Sequence, residues 1–127
     1  MLSHSAGEMA FLTAKAYGGN EVTSILRFPF PVRDIPKGSK IALIGAGVMG
    51  VRYYIQNLLQ RHCRIVIWSE RENPEELPYI SNYDALLEKD YEYVLIAYVK
   101  TELITKAEEF LAAHGIEKKI IYGGNYL

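Results

Sequence analysis

Three glycines, Gly45, Gly47 and Gly50, stand at the spacing G-x-G-x-x-G within the stretch KIALIGAGVMG, residues 40 to 50. In a turn from a strand into a helix, the first glycine permits the tight turn and the second leaves room for a phosphate. The third lets the helix approach the strand. The helix N-terminus adds unpaired N–H groups and a positive dipole end, which favour an anion. A phosphate-binding loop is predicted, with a turn kept only for packing as the alternative; its residues are Gly45, Ala46, Gly47, Val48, Met49 and Gly50.

Two further positions could complete a nucleotide site. Glu70 follows the second predicted strand, at the distance from the glycines where a carboxylate can accept hydrogen bonds from a ribose diol. Arg71 could instead meet a 2′-phosphate, so the choice between NAD and NADP stays open, as does a plain solvated charge cluster. Tyr98 ends the third predicted strand, where ligands sit in doubly wound sheets. Tyr98 could stack on a base, form the bottom of a binding pocket or pack in the core without a role in binding.

The elements that must position these residues alternate from Lys40 onward. A short apolar run before the glycines is typical of a strand covered on both faces, and helical stripes of apolar residues separate the later strands. The pattern predicts an α/β fold, a Rossmann-like three-layer sandwich with a mostly parallel sheet of four to five strands and an N-terminal extension. The strands are predicted over 41–44, 64–68, 93–98 and 119–122, and the helices over 48–62, 82–89 and 102–114, with Ser81 and Thr101 as helix caps.

Residues 1–39 differ from the rest and are predicted to be an extension or arm that leads into a domain of residues 40–127. Residues 8–16 could form two helical turns. Residues 22–28 are β-like, but Pro29 and Pro31 exclude a central strand there.

Composition excludes several classes of function. The 127 residues carry a net charge of −1, without the clustered basic excess that nucleic-acid binding needs. No apolar stretch approaches a membrane span, and the N-terminus lacks signal-peptide features. A single cysteine, Cys63, fits a reducing cytoplasm. His4, His62 and His114 lack partners at metal spacing, so no metal site is predicted. No catalytic residue is predicted either, and the isolated chain is more readily a binding module than an enzyme.

Three stretches carry a resemblance to a known family: FPFPVRDIPKGSKIALIGAGVMGVRYY, YEYVLIAYVKTE and HGIEKKIIYGG. They resemble a small Rossmann-like module, an accessory domain of bacterial surface-polysaccharide proteins that occurs beside glycosyltransferase or methyltransferase domains. The chain is also similar to the N-terminal nucleotide-binding half of sugar acyltransferases and to CoA-binding-type Rossmann domains. The resemblance covers about residues 28–123 and places Gly45, Ala46, Gly47 and Gly50 on the phosphate loop.

The same resemblance aligns residues 68–70 with a family segment that often reads W-V-D or F-D-D. Here Ser69 precedes the acid and Glu70 replaces aspartate. The resemblance implies binding of a nucleotide or a nucleotide-sugar, and it does not by itself imply catalysis.

Three functions are therefore open. The first is a binding module for NAD(P) or a nucleotide-sugar, linked to polysaccharide and nucleotide-sugar metabolism. The second is a small NAD(P)-dependent oxidoreductase, disfavoured because a dinucleotide needs two βαβαβ halves. The third is an interaction module with a vestigial loop. In that case a tyrosine-rich surface, including Tyr53 and Tyr54, and an exposed arm with Phe28 and Phe30 would mediate homodimerisation or docking to a glycosyltransferase-type partner.

Overall fold

A computed structural model describes residues 28–72 and 79–123. The helix predicted over 8–16 and all but the last residue of the β-like segment 22–28 lie outside these ranges. Four parallel strands form one sheet, in the order β2-β1-β3-β4. The predicted α/β Rossmann-like fold is confirmed. The strands are β1 (Lys40–Ile44), β2 (Arg64–Ser69), β3 (Tyr93–Ile96) and β4 (Lys119–Tyr122); the helices are α1 (Val48–Gln60), α2 (Thr101–Ala113) and a short 3-10 helix (Tyr83–Leu87).

The sheet has a separate apolar layer on each face. Side chains alternate along β1, so that Ile41 and Leu43 pack on the α1 side while Ala42 and Ile44 pack on the other. The second layer is built by the 3-10 helix and α2. All four strand residues named here are fully buried. This double coverage explains why β1 is a continuous apolar run and confirms the three-layer arrangement.

The strand order places a topological switch point beside β1. From β1 the chain moves through α1 to β2 on one side, and then through the 3-10 helix to β3 on the other side of β1. In open parallel sheets, ligands bind at the carboxyl ends of strands where the order reverses in this way. The glycine turn after β1 lies at that point.

Helix α1 ends two residues earlier than predicted. Arg61 takes a left-handed conformation (φ 52°), and its N–H donates to the carbonyl oxygen of Asn57 at 2.7 Å. The buried Asn57 side chain then donates to the carbonyl oxygen of Cys63 (2.9 Å) and accepts from its N–H (3.0 Å). This pair of bonds ties the end of α1 to the start of β2. The sequence predicts an apolar stripe of Val48, Val51, Ile55, Leu58 and Leu59 on this helix, and this prediction is wrong at both ends, because Val48 is 44% and Leu59 is 78% exposed.

The second helical segment is a 3-10 helix rather than the predicted helix over 82–89. Its cap is Asn82, whose side chain accepts from the N–H of Asp84 at 3.1 Å, and not Ser81. Helix α2 begins at Thr101, which was predicted to be the cap; Lys100 holds that position without a side-chain bond. Helix α2 ends at Ala113, one residue before the predicted end, and Gly115 follows with φ +66° and donates its N–H to the carbonyl oxygen of Ala112.

The described part of the N-terminal arm packs against α1. Phe30 is 5% exposed and meets the Tyr53 ring edge-on at 5.7 Å, and Ile35 is fully buried. The Gln56 side chain accepts from the Phe30 N–H (2.9 Å) and donates to the Phe28 carbonyl oxygen (2.5 Å). The expectation of an exposed aromatic arm is therefore wrong for Phe30, while the predicted boundary after residue 39 stays a prediction.

Candidate functional site

Gly45 makes the tight turn that the sequence predicts. Its φ is +115°, a conformation that side chains rarely adopt, and a Cβ there would lie 2.7 Å from the carbonyl oxygen of Ala97. The Gly45 N–H donates to the Ser69 carbonyl oxygen (2.8 Å), and its own carbonyl oxygen accepts from the Trp68 indole N–H (2.7 Å). Two hydrogen bonds from β2 thus hold the turn, and the backbone of Ala97, directly after β3, leaves no room for a side chain beside it.

Gly50 brings α1 close to this turn. A Cβ at residue 50 would overlap the carbonyl oxygen of Gly45, which is backbone and cannot move aside. The role predicted for Gly50, close approach of helix and strand, is confirmed by this geometry.

Gly47 differs from the other two glycines. It is the N-cap of α1 with φ −77° and ψ −166°, which any residue adopts, and a Cβ there would meet nothing within 4 Å. It is exposed, makes no side-chain cap, and α1 has no acidic residue in its first turn. The first N–H groups of a helix have no partner within it, and here the N-terminus opens at the switch point. The structure places Val48 exposed and Met49 buried directly after it.

Glu70 is held against the glycine turn. One carboxylate oxygen, Oε1, accepts from the N–H of Ala46 at 3.1 Å. The other, Oε2, accepts from the N–H of Arg71 at 2.8 Å and from the hydroxyl of Tyr98. The carboxylate therefore binds one residue before the helix N-terminus, and among residues 28–72 and 79–123 no group accepts from the N–H groups of Val48, Met49 and Gly50.

Tyr98 lies beneath the turn as part of a buried pair of hydroxyls. Its oxygen is 2.9 Å from that of Tyr83, and the two side chains are 6% and 8% exposed. Burial raises the pKa of Tyr98, and its hydrogen bond to Glu70 raises that pKa further. Burial also raises the pKa of Tyr83. Both hydroxyls consequently stay protonated near neutral pH, and Tyr98 remains a donor.

The structure brings the predicted site residues together at one edge of the sheet. Arg71 is exposed beside Glu70, with its backbone N–H committed to that carboxylate. Two exposed apolar side chains, Val48 (44%) and Val99 (58%), follow the ends of β1 and β3. The switch point therefore has exposed apolar side chains, a carboxylate and the N-terminus of α1 around it.

Sequence reasoning missed the groups that support this site from behind. Trp68 is 1% exposed, and Tyr54 stacks on it with ring centroids 4.3 Å apart and 16° between planes. Tyr83 orients Tyr98 but was not singled out. The only signals in the sequence were an aromatic residue near the end of β2, Trp68, and another at the start of the 3-10 helix, Tyr83. Aromatic residues are common at such positions, so neither could be linked to the glycine turn before the fold was known.

Several interaction features predicted from sequence are corrected. Tyr53 and Tyr54 were expected on the surface, yet both are fully buried. The Tyr53 hydroxyl donates to the Gly123 carbonyl oxygen at 3.0 Å, and burial raises its pKa to about 12. Neighbouring side chains of an α-helix point in different directions, because the helix has 3.6 residues per turn. Tyr53 and Tyr54 are nevertheless both buried, because the sheet and the N-terminal arm both pack against α1. Cys63 is a free, buried cysteine.

Comparisons of this chain with protein-family models, with curated proteins and with solved structures find no match. Within residues 28–72 and 79–123, no group of three or more metal-ligating side chains occurs. No helix in that part of the chain has the length and apolar content to cross a membrane.

Proposed function

We propose that the turn between β1 and α1 binds the phosphate of a nucleotide, and that the chain is a nucleotide-binding module rather than an enzyme by itself. The ligand classes are NAD(P) and nucleotide-sugars. The resemblance of residues 28–123 to accessory domains of polysaccharide proteins favours a role beside polysaccharide assembly. The N–H groups that follow Gly47 would hold the phosphate, and Glu70 would accept a hydrogen bond from the ribose.

Gly47 is the observation that carries this proposal. Packing and backbone geometry account for Gly45 and Gly50, but neither accounts for Gly47, whose conformation and surroundings admit any residue. Serine, threonine, aspartate or asparagine at this N-cap position would make α1 more stable than glycine does. Glycine here allows a ligand to approach the backbone closely, which is a physical reason for the less stable residue.

Glu70 supports the proposal independently. Its carboxylate is half-buried and oriented by three donors, which is more order than a solvated surface charge has. It lies beside the turn and not across the helix N-terminus. A ribose joined to a phosphate on the helix end would extend toward this carboxylate.

The test is a thermal-shift screen of the purified chain against NAD(H), NADP(H), CoA and UDP-, GDP- and dTDP-sugars. A ligand at about 100 times its dissociation constant adds about 2.7 kcal/mol to the unfolding free energy. The hit is then titrated against Gly47→Asp, which blocks and repels a phosphate. Thr101→Asp is the matched control, because it adds the same charge at the start of the other helix.

The proposal expects saturable binding that Gly47→Asp abolishes and Thr101→Asp leaves intact. A folded wild-type chain that responds to none of these ligands would overturn it. Equal binding by wild type and Gly47→Asp would place the ligand elsewhere and overturn it as well.

A further inference from the structure

Four basic residues that lie apart in the sequence come together at the amino ends of β1 and β2. The Gly38 N–H donates to the His62 carbonyl oxygen (2.8 Å), and the Arg64 N–H donates to the Ser39 carbonyl oxygen (2.8 Å). These bonds hold the turn before β1 against the end of α1 and the start of β2. All four side chains are exposed, and we name the cluster the basic corner: Lys37, Lys40, Arg61 and Arg64.

The positive charges of the basic corner are not compensated within the fold. Lys40 and Arg64 pair in register on adjacent strands, where like charges repel and lower stability. Glu92 lies beside Lys40, but its carboxylate accepts from the backbone N–H of that residue (3.1 Å). Within residues 28–72 and 79–123, none of the four side chains forms an ion pair. Ion pairing therefore does not explain the cluster, and its charge is available to an anionic partner.

Exposed aliphatic side chains border the basic corner. Arg52, Gln56 and Leu59 share one face of α1, because residues three or four apart are neighbours on a helix. The first two contact the arm: the Arg52 guanidinium lies 5.1 Å from the centre of the Phe28 ring, and Gln56 donates to the Phe28 carbonyl oxygen (2.5 Å). Leu59 is next along this face, toward the basic corner, and is 78% exposed. Val32, in the arm, is 42% exposed.

The type of exposed apolar residue indicates the kind of partner. Protein hot spots are enriched in tryptophan and tyrosine, and single-stranded nucleic acids stack on aromatic rings. A bilayer surface requires neither, because anionic head groups attract lysine and arginine while aliphatic side chains enter the boundary of the acyl chains. In the described part of the chain, every large apolar side chain that is exposed is aliphatic: Val32, Val48, Leu59, Leu87 and Val99.

We propose that the basic corner, together with Leu59, binds the surface of an anionic lipid bilayer. Salt screens charges more than about 10 Å apart, so the bilayer interacts with these four cations rather than with the net charge of −1 of the whole chain. The basic corner lies at the amino ends of the strands, whereas the glycine turn follows the carboxyl end of β1. Bilayer binding leaves the glycine turn accessible, and this inference does not depend on the proposed function.

The experiment is sedimentation of the purified chain with two kinds of vesicle, phosphatidylcholine alone and phosphatidylcholine with an equal part of phosphatidylglycerol. The wild type should bind only the second kind, and added salt should weaken binding. Each lysine or arginine near an anionic surface changes affinity about fivefold, so Lys37→Gln with Arg64→Gln should weaken binding about 25-fold. Lys100→Gln with Lys106→Gln is the matched control, because it removes two exposed charges at α2 and should leave binding unchanged.

Leu59→Gln tests the apolar contact separately. It removes an exposed aliphatic side chain without changing the charge, so the fold should be kept while vesicle affinity falls about tenfold. Val99→Gln is its control, because Val99 is also exposed (58%) but follows β3 at the opposite edge of the sheet. Circular dichroism confirms that each variant is folded.

Several results would overturn the proposal. These are no binding to either vesicle, equal binding to both, or an equal loss in the two double variants, which would reflect net charge alone. An unchanged affinity of Leu59→Gln overturns it too, since the aliphatic contact distinguishes a bilayer from other polyanions. Oligouridylate and polyglutamate are tested at the same concentration of negative charge. Tighter binding to either than to the anionic vesicles would assign the basic corner to a nucleic acid or an acidic protein instead.

Discussion

Two strand-to-helix turns lie side by side at the carboxyl edge of this sheet, and they are built differently. Three residues join β1 to α1, and four residues, 97–100, join β3 to α2. The first turn contains Gly45 and Gly47, whereas the second contains no glycine. Neither helix has a side-chain cap. Helix α2 carries Glu102 in its own first turn, while the turn before α1 receives Glu70 from the end of β2.

The difference shows which glycines the fold requires. A strand can pass into a helix without glycine, as β3 does, when one more residue is available. The shorter turn brings α1 so close to its strand that Gly45 and Gly50 have no room for a side chain. Gly47 has that room. The contrast therefore assigns Gly45 and Gly50 to packing and shows that packing does not require Gly47.

The largest expected effect comes from Gly50→Ala. The added methyl overlaps the Gly45 carbonyl oxygen, so α1 must move away from β1. We expect a loss of about 3 kcal/mol or more in the unfolding free energy, at the upper end for overpacking, measured by urea denaturation. Gly47→Ala is the control and should cost less than about 1 kcal/mol.

Equal effects of these two alanine variants would break the comparison. They would mean that the turn tolerates the displacement of α1, and that close packing does not explain the third glycine of the motif.

A smaller effect distinguishes the two acidic residues. Glu70→Gln replaces a carboxylate that takes three donors with an amide that cannot accept from all of them, and about 1–2 kcal/mol of stability should be lost. Glu102→Gln removes only an exposed charge at the N-terminus of α2, which is worth about 0.3–1 kcal/mol. Thermal unfolding of both variants at low salt measures the difference.

If Glu102→Gln lowered the unfolding free energy as much as Glu70→Gln, the Glu70 carboxylate would stabilise the fold only through its charge near a helix N-terminus. Its hydrogen bonds to Ala46 and Tyr98 would then add nothing measurable to stability.

The sequence was sufficient to predict the strands and the glycine turn of this site, but not the buried side chains that pack around them. Alternating apolar runs and helical stripes placed all four strands, because strand and helix periods differ and each face must be covered. The glycine spacing located the turn because a tight strand-to-helix turn depends only on residues close together in the sequence. Burial of Tyr53, Tyr54 and Phe30 could not be predicted, because it depends on which segments meet across the sheet.

The bond between Tyr98 and Glu70 shows the same limit within the site. Each residue was predicted from its position at a strand end. Their contact, however, spans 28 positions in the chain and depends on the order β2-β1-β3, which periodicity does not specify. Tyr83, 15 positions from Tyr98, joins them through the 3-10 helix. Pairings of this kind follow from topology and packing, so they emerged only from the structure.

The smallest expected change in stability gives the sharpest test of Gly47. Asparagine at this position can adopt the observed φ and ψ and accept from the first N–H groups of α1, so Gly47→Asn should raise the unfolding free energy by a few tenths of a kcal/mol. The same side chain occupies the groups assigned to the phosphate. Nucleotide affinity should therefore fall at least tenfold while the melting temperature rises.

Lys100→Asn is the matched control at the other helix, and it should also raise stability because it supplies a cap and removes a positive charge from a helix N-terminus. It should leave nucleotide affinity unchanged. Opposite signs for stability and binding at Gly47, with a gain in stability alone at Lys100, can arise only if the uncapped start of α1 is the phosphate site. If Gly47→Asn gains stability without losing affinity, the missing cap at α1 has no more functional meaning than the one at α2.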